Sequence, residues 1–107
     1  MRYRLENEQF KVEIDSFGAE LKTVTRKIDG REYLWYADET YWGRTSPVLF
    51  PFVGAPKNKE YRYDGKTYAM GQHGFARDME FTLEKQEENR IWFFLNSTEE
   101  TLAKYPF

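Results

Sequence analysis

Two Asp-Gly pairs, each between runs of alternating apolar and polar residues, constrain this sequence more than any other feature. The pair Asp29-Gly30 separates residues 19–29 from residues 31–38. The pair Asp64-Gly65 lies at the centre of "EYRYDGKTYAM", residues 60–70. Both central residues of a two-residue type I′ turn need positive φ, which Asp-Gly tolerates well. Each pair therefore predicts a β-hairpin.

The same period of two continues through much of the rest of the chain. "KVEID" (11–15) alternates, and "MEFTLEKQ" (79–86) places its apolar residues on one face. "RIWFFLNS" (90–97) is more uniformly apolar, which is typical of a strand covered on both faces. "EENR" is the predicted turn between these last two strands. Aromatic residues make up 19% of the chain, and they too favour strands.

One short helix is predicted for "STEETLAKY", residues 97–105. Ser97 or Thr98 is the candidate N-cap, and Glu100 follows Ser97 at the spacing of a capping box. Leu102 and Tyr105 are expected on its buried face, and the proline that follows ends the helix. The predicted fold class is all-β, an antiparallel β-sandwich with at most one short helix.

Length and charge exclude several classes of function. The chain of 107 residues suits one small domain, and its net charge of −2 gives no reason to expect a nucleic-acid partner. No apolar run approaches the roughly 20 residues of a membrane span, and the charged start is unlike a signal peptide. The chain contains no cysteine, so it has no disulfide and no zinc-thiolate site. We expect a cytoplasmic protein.

Residues 42–58, "WGRTSPVLFPFVGAPKN", interrupt the alternation. Three prolines in this segment lack a ladder donor, so they confine it to an edge, a bulge or an irregular crossing. It is otherwise strongly apolar, as in a rigid edge strand or in the lining of a site. Arg44 lies close to its start. It is either a surface residue or a donor to a ligand hydroxyl or carboxylate.

The stretch "GQHGFARD", residues 71–78, contains the single histidine, His73. Flanking glycines allow a ligand to come close to the imidazole. In an extended strand His73 and Arg77 lie on one side, a pair that suits a polyhydroxylated or anionic ligand, while Phe75 points to the core. A hydrogen-bonded structural histidine is the competing interpretation. Spacing alone completes no catalytic set, since no second histidine is present for a metal site or a Ser-His-Asp arrangement.

The order of these motifs carries a resemblance. "WGRTSPVLFPFVG", then "YRYDGKTYAMGQHGFARDMEFTL", resembles the aldose 1-epimerase (galactose mutarotase) superfamily in its LacX-like branch. The opening "IDSFGAELKTV" and "DGREYLWYAD" and the closing "STEETLAKYPF" match as well. The resemblance covers essentially the whole chain, and it is specific in the order and spacing of the motifs.

The resemblance implies a large antiparallel β-sandwich, the galactose mutarotase-like supersandwich. It implies an isomerase that interconverts the α and β anomers of an aldose, with no metal or redox cofactor. A glutamate takes the proton of the anomeric hydroxyl, a histidine gives one to the ring oxygen, and the ring opens and closes again. Such general acid–base groups contribute roughly 10²–10⁴-fold each.

Four residues of this sequence match positions of the family site. His73 is implied to be the catalytic-site histidine that holds sugar hydroxyls and stabilises charge on the ring oxygen. Arg77 is implied to support the site or to contact anionic sugars, and Arg44 to reach the sugar. Asp78 is implied to orient His73 or Arg77. The implied ligand is a monosaccharide, either an aldose or a sugar phosphate, and Lys57 is a further candidate for a phosphate contact.

The resemblance also implies that two members of the catalytic set, the base glutamate and a second histidine, lie downstream of these motifs. We therefore expect residues 1–107 to be the N-terminal portion of a galactose mutarotase-like domain, inactive alone and able to self-associate through exposed sheet edges. The alternative is a non-catalytic carbohydrate-binding or structural β-module. In that module Trp42 or Trp35 stacks on a sugar.

Overall fold

Antiparallel β-hairpins make up most of the structure, a computed structural model that describes residues 1–107. A three-stranded sheet has the order β1-β2-β3, and β4-β5 and β6-β7 form two separate hairpins. The strands are Arg2–Glu6 (β1), Phe10–Asp15 (β2), Glu20–Arg26 (β3), Glu60–Tyr63 (β4), Lys66–Ala69 (β5), Thr82–Gln86 (β6) and Ile91–Phe94 (β7), and the helix is Glu99–Lys104 (α1). The prediction of antiparallel strands with one short helix is confirmed.

The hairpin predicted at Asp64-Gly65 has the expected type I′ geometry. Both residues have positive φ, 49° and 75°, and Tyr63 pairs directly with Lys66 across the turn. This turn satisfies its own backbone groups without help from the rest of the chain. Local sequence was therefore sufficient to predict it.

The turn at Asp29-Gly30 differs from the prediction. Only Gly30 has positive φ, and the loop is wider, because the Arg26 N–H donates to the Arg31 carbonyl at 2.8 Å. The Asp29 carboxylate binds the Arg26 guanidinium with Nε–Oδ1 at 3.0 Å and accepts the Arg31 N–H at 3.2 Å. These side-chain bonds stabilise a longer loop than a two-residue turn.

The predicted second arm of that hairpin, residues 31–38, is not a strand. A single bridge joins Thr25 to Glu32. The Glu32 carboxylate accepts the N–H groups of Val24 at 2.8 Å and Leu34 at 3.0 Å. A side chain thus takes up donors that a neighbouring strand would otherwise use.

The strand β7 and the helix α1 also correct the predictions in detail. The predicted turn joins β6 to β7, but β7 is covered on one face only, with Trp92 and Phe94 37% and 38% exposed. In α1 the N-cap is Thr98, one of the two predicted candidates, but its capping box is formed with Thr101 and not by Ser97 with Glu100. Thr101 is 5% exposed and Leu102 43%, so the predicted buried leucine faces outward.

The molecule is a thin slab, 56 × 34 × 17 Å, with a radius of gyration of 16.7 Å. A compact domain of this length has a radius of gyration of about 13 Å. Only 7 of the 107 residues are buried. A β-sandwich has its core between two sheets about 10 Å apart. This chain supplies one of these two layers and the loops at its edges. The structure is therefore a partial β-sandwich.

The stretch 71–78 is a compact turn and not the predicted strand. His73 has a φ of 64°, and Ala76–Asp78 form a 3-10 turn. The backbone of this turn crosses the proline-rich segment, where the Phe50 carbonyl accepts the N–H groups of Phe75 at 3.0 Å and Ala76 at 3.1 Å. Phe75 is half-buried against the Phe50 ring, 6.5 Å between centroids.

Replacing Gly74 by alanine is expected to disrupt this crossing. Gly74 has a φ of 73°, and an added Cβ would lie 2.2 Å from the Phe50 carbonyl oxygen. We expect Gly74→Ala to lower the free energy of unfolding by about 4 kcal/mol or more, because the contact is with backbone. Urea unfolding followed by tryptophan fluorescence measures the change.

Gly65→Ala is the matched control, since Gly65 has a φ of 75° and no atom within 4 Å of its added Cβ. We expect Gly65→Ala to lower the free energy of unfolding by about 1–2 kcal/mol, from left-handed backbone strain alone. Equal losses in the two variants would show that the crossing at Phe50 does not stabilise the fold.

Candidate functional site

His73 is held at its turn by the backbone of Gly54. The His73 N–H donates to the Gly54 carbonyl at 2.7 Å, and the Gly54 N–H donates to His73 Nδ1 at 2.9 Å. Since Nδ1 accepts a hydrogen bond, the proton of the neutral ring lies on Nε2. The neighbouring Gln72 amide nitrogen lies 3.4 Å from Nε2, and as a donor itself it does not accept the Nε2 hydrogen. The fold thus presents the histidine as a hydrogen-bond donor.

His73 and Arg77 line one open pocket of about 390 Å³, although they do not lie on a common strand. Trp42, Pro47, Leu49 and Gln72 complete its lining. The pocket combines an apolar wall with four donor-bearing side chains, which carry the imidazole, the guanidinium, the amide and the indole N–H. Such a mixture suits a ligand that has both C–H and hydroxyl groups.

Arg44 and Asp78, the other two predicted site residues, lie beside this pocket and do not line it. The Arg44 guanidinium forms an ion pair with the Asp78 carboxylate, and its Nη1 donates to the Arg77 carbonyl at 3.3 Å. Asp78 reaches Arg77 Nε only at 3.8 Å, and it makes no hydrogen bond to His73. Arg44 thus fixes the 3-10 turn that carries Arg77.

Glu20 also positions this region, and the sequence analysis did not identify it. Its carboxylate is buried, 3% exposed, and accepts the backbone N–H groups of Thr45 at 2.7 Å and Ser46 at 3.2 Å. Lys22 Nζ lies 3.0 Å from the same oxygen. An acidic and a basic residue on one face of a predicted strand were the only signal in the sequence.

Burial by itself raises the pKa of the Glu20 carboxyl, but the Thr45 N–H and the Lys22 ammonium outweigh it. The net result is a pKa below the ordinary value of 4.5. Glu20 is therefore ionised at neutral pH, and it fixes the backbone of Thr45 and Ser46 near the start of the proline-rich segment.

The arrangement can donate hydrogen bonds to a ligand, but it offers no metal centre. No three histidine, aspartate or glutamate side chains converge closely enough to hold a metal ion. The one α-helix, six residues long, is too short to cross a bilayer.

The family model for aldose 1-epimerase matches residues 1–107, the whole of this chain. The chain belongs to the aldose 1-epimerase family. The resemblance seen in the sequence motifs is thereby confirmed.

The relatives of this aldose 1-epimerase family member are similar to it both in sequence and in structure. Protein LacX of Lactococcus lactis subsp. lactis is 38% identical over 110 residues, which cover 98% of this chain and 36% of that protein. A galactose mutarotase related enzyme from Lactobacillus acidophilus is 48% identical with a TM-score of 0.98, and a galactose mutarotase-like protein from Lactobacillus casei is 41% identical with a TM-score of 0.96. All of this chain aligns with each of the two structures.

The chain spans 36% of the length of both structural relatives. A TM-score of 0.98 over the aligned part means that the flat slab is the conformation of the same segment within a larger fold. The backbone crossing at Phe50 therefore belongs to a framework that this chain shares with these relatives.

The Glu20 carboxylate makes the stability of this region depend on pH. Its pKa in the folded state is lowered, so its contribution is complete above pH 4.5 and is lost as the pH falls through the folded-state pKa. We expect Glu20→Gln to lower the free energy of unfolding by about 2 kcal/mol at neutral pH, the value of hydrogen bonds to a charged group. The difference from the parent protein shrinks below pH 4.5.

Urea unfolding at a series of pH values measures this difference. Glu84→Gln, at an exposed position of β6 with no ion pair, is the control and should change little. A pH-independent loss in Glu20→Gln would contradict the role of the ionised carboxylate.

Proposed function

We propose that this chain provides one wall of the sugar site in an aldose 1-epimerase that interconverts the α and β anomers of an aldose. The observation that carries the proposal is the bond from the Gly54 N–H to His73 Nδ1 at 2.9 Å. It leaves the Nε2 hydrogen for a ligand, and sugar oxygens are acceptors for it. Arg77 lines the same pocket and is a second donor to those oxygens.

The reaction that fits this wall is a proton-coupled ring opening. A base removes the proton of the anomeric hydroxyl, the bond from C1 to the ring oxygen breaks, and the ring oxygen receives a proton. The open aldehyde turns about C1–C2 and closes by the reverse steps, so no atom or electron is gained or lost. The donor Nε2–H of His73 stabilises the charge that develops on the ring oxygen.

The remaining catalytic groups are part of the proposal and are not assigned to this chain. The family resemblance implies a base glutamate and a second, proton-donating histidine, and these 107 residues contain one histidine. We therefore treat residues 1–107 as the N-terminal portion of a galactose mutarotase-like domain. The chain spans 36% of its structural relatives, which supports this assignment.

The charges around the pocket favour an unphosphorylated aldose. Of the three basic side chains considered for a phosphate, only Arg77 lines the pocket. Arg44 is neutralised by Asp78, and Lys57 lies in a separate 3-10 turn, Lys57–Lys59. A phosphate dianion is usually bound by more than one cation or by several backbone donors.

The alternative, a non-catalytic sugar-binding module, requires a chain with closed edges and its own core. Only 7 buried residues and a thickness of 17 Å favour the enzyme proposal instead.

The fold needs no disulfide, since the chain contains no cysteine. We accordingly propose a cytoplasmic location.

Polarimetry of glucose and galactose mutarotation tests the proposed function. The chain alone should not accelerate the reaction above buffer. A chimera in which it replaces the matched third of the Lactobacillus acidophilus protein should accelerate it. In the chimera, His73→Ala should lower kcat/KM by about 10²-fold, the lower end of what one acid–base group contributes.

Arg62→Ala, at an exposed position of β4, is the matched control for a lost side chain. A chimera that folds and leaves the spontaneous rate unchanged would contradict the proposal, provided that the relative itself is active. Acceleration by the chain alone would contradict the assignment of the other catalytic groups to a different segment.

Self-association of the isolated chain is expected from its open edges. The strand β7 pairs only with β6, and Phe94 on it is 38% exposed. Sedimentation velocity should show association that grows with protein concentration, and Phe94→Lys should shift the protein towards monomer. Ile28→Lys, at a 90% exposed loop position, is the control for added charge. A monomer at high concentration argues against this expectation.

A further inference from the structure

Trp42 is presented to the pocket by a short, well-bonded turn. The Asp38 carbonyl accepts the N–H groups of Tyr41 at 3.0 Å and Trp42 at 2.8 Å. The Asp38 carboxylate accepts the Thr40 N–H at 3.0 Å, and the indole nitrogen of Trp35 donates to the Trp42 carbonyl at 2.7 Å. The backbone that carries the Trp42 side chain is therefore fixed before any ligand arrives.

The Trp42 ring itself has no aromatic partner, in contrast to its neighbours. Trp35 packs on Tyr36 with ring centroids 4.5 Å apart and on Tyr41 at 6.3 Å. Trp42 forms no ring pair, and no cation lies over it. It is 49% exposed, and it lines the pocket together with His73 and Arg77. The indole therefore forms part of the pocket wall and has no aromatic or cationic partner among residues 1–107.

A pyranose ring matches this combination of groups. It has a face of C–H bonds and a rim of hydroxyl and ring oxygens. An indole face packs well against the C–H face of the sugar, and the donors on His73 and Arg77 bind its hydroxyl and ring oxygens. Pro47 and Leu49 extend the apolar part of the wall.

We infer that Trp42 is a specificity-determining residue of this site, which packs its indole against the C–H face of a neutral pyranose. The inference rests on the proposed function, because it takes the pocket beside His73 to be the sugar site. It adds a requirement on the substrate, since acyclic polyols lack the ring face. A sugar with axial hydroxyls on the stacked face should bind less well.

Nuclear magnetic resonance of the ¹⁵N-labelled chimera, which contains the rest of the proposed site, separates the two claims. D-galactose, D-glucose and the acyclic polyol D-glucitol are titrated, and the indole signal of Trp42 and the ring nitrogens of His73 are followed. Single Trp→Phe variants assign the indole signals. We expect both residues to shift along one saturable curve with the ring sugars, and Trp42 to stay unchanged with D-glucitol.

The variants add a quantitative test. Trp42→Ala should weaken the binding of the ring sugars by up to about tenfold, in line with the energy of one aromatic contact. Trp42→Phe should retain most of the affinity and guards against a folding defect. Tyr41→Ala removes a 79% exposed ring from the same turn that does not line the pocket, and it should change little.

Each result decides one claim. Shifts at His73 without any at Trp42 would overturn the stacking inference and leave the sugar site in place. Shifts at neither residue would overturn the proposed site itself. Equal responses to D-glucitol and D-glucose would also overturn the stacking inference, because they would show recognition of hydroxyls alone.

Discussion

The contact between the Phe50 carbonyl and the backbone at Gly74 is the constraint on which the rest of this structure depends. It joins two segments far apart in sequence through main-chain bonds to Phe75 and Ala76, at 3.0 and 3.1 Å. Only a residue without a Cβ fits there, since any Cβ would lie 2.2 Å from the carbonyl oxygen. The same crossing brings Gly54 beside His73. The backbone therefore determines both the position of the imidazole and its tautomer.

Polar anchors replace a hydrophobic core around this crossing. With 7 buried residues, the slab cannot hold its long loops by apolar burial alone. Glu20 instead binds the backbone near the start of the proline-rich segment, and Arg44 binds Asp78 and the Arg77 carbonyl. Burying a charge costs desolvation energy, which the attraction of a hydrogen-bonded partner offsets, and Glu20 and Arg44 each have such a partner. Rigidity of the site thus comes from directed bonds.

The sequence predicted what local chemistry decides and missed what distant partners decide. The turn at Asp64-Gly65 followed from the conformational needs of two residues. At Asp29-Gly30 the same dipeptide gave a wider loop, because the carboxylates of Asp29 and Glu32 accept the backbone N–H groups of Arg31 and Val24. His73 and Arg77 were expected on one strand, and they reach one pocket through a turn instead. The bonds of Arg44 involve residues 33 and 34 positions away, which no periodicity reveals.

The proposed site also restricts where the base of the proposed reaction can lie. If the indole of Trp42 covers one face of the pyranose and the Nε2–H of His73 reaches the ring oxygen, two sides of the sugar are occupied. A base must lie within about 2.6–3.2 Å of the anomeric oxygen to remove its proton. Under the proposed function, the base must therefore approach from a side of the sugar that neither Trp42 nor His73 covers. A carboxylate arriving there would also exclude water from the reacting atoms, which strengthens the hydrogen bond from His73.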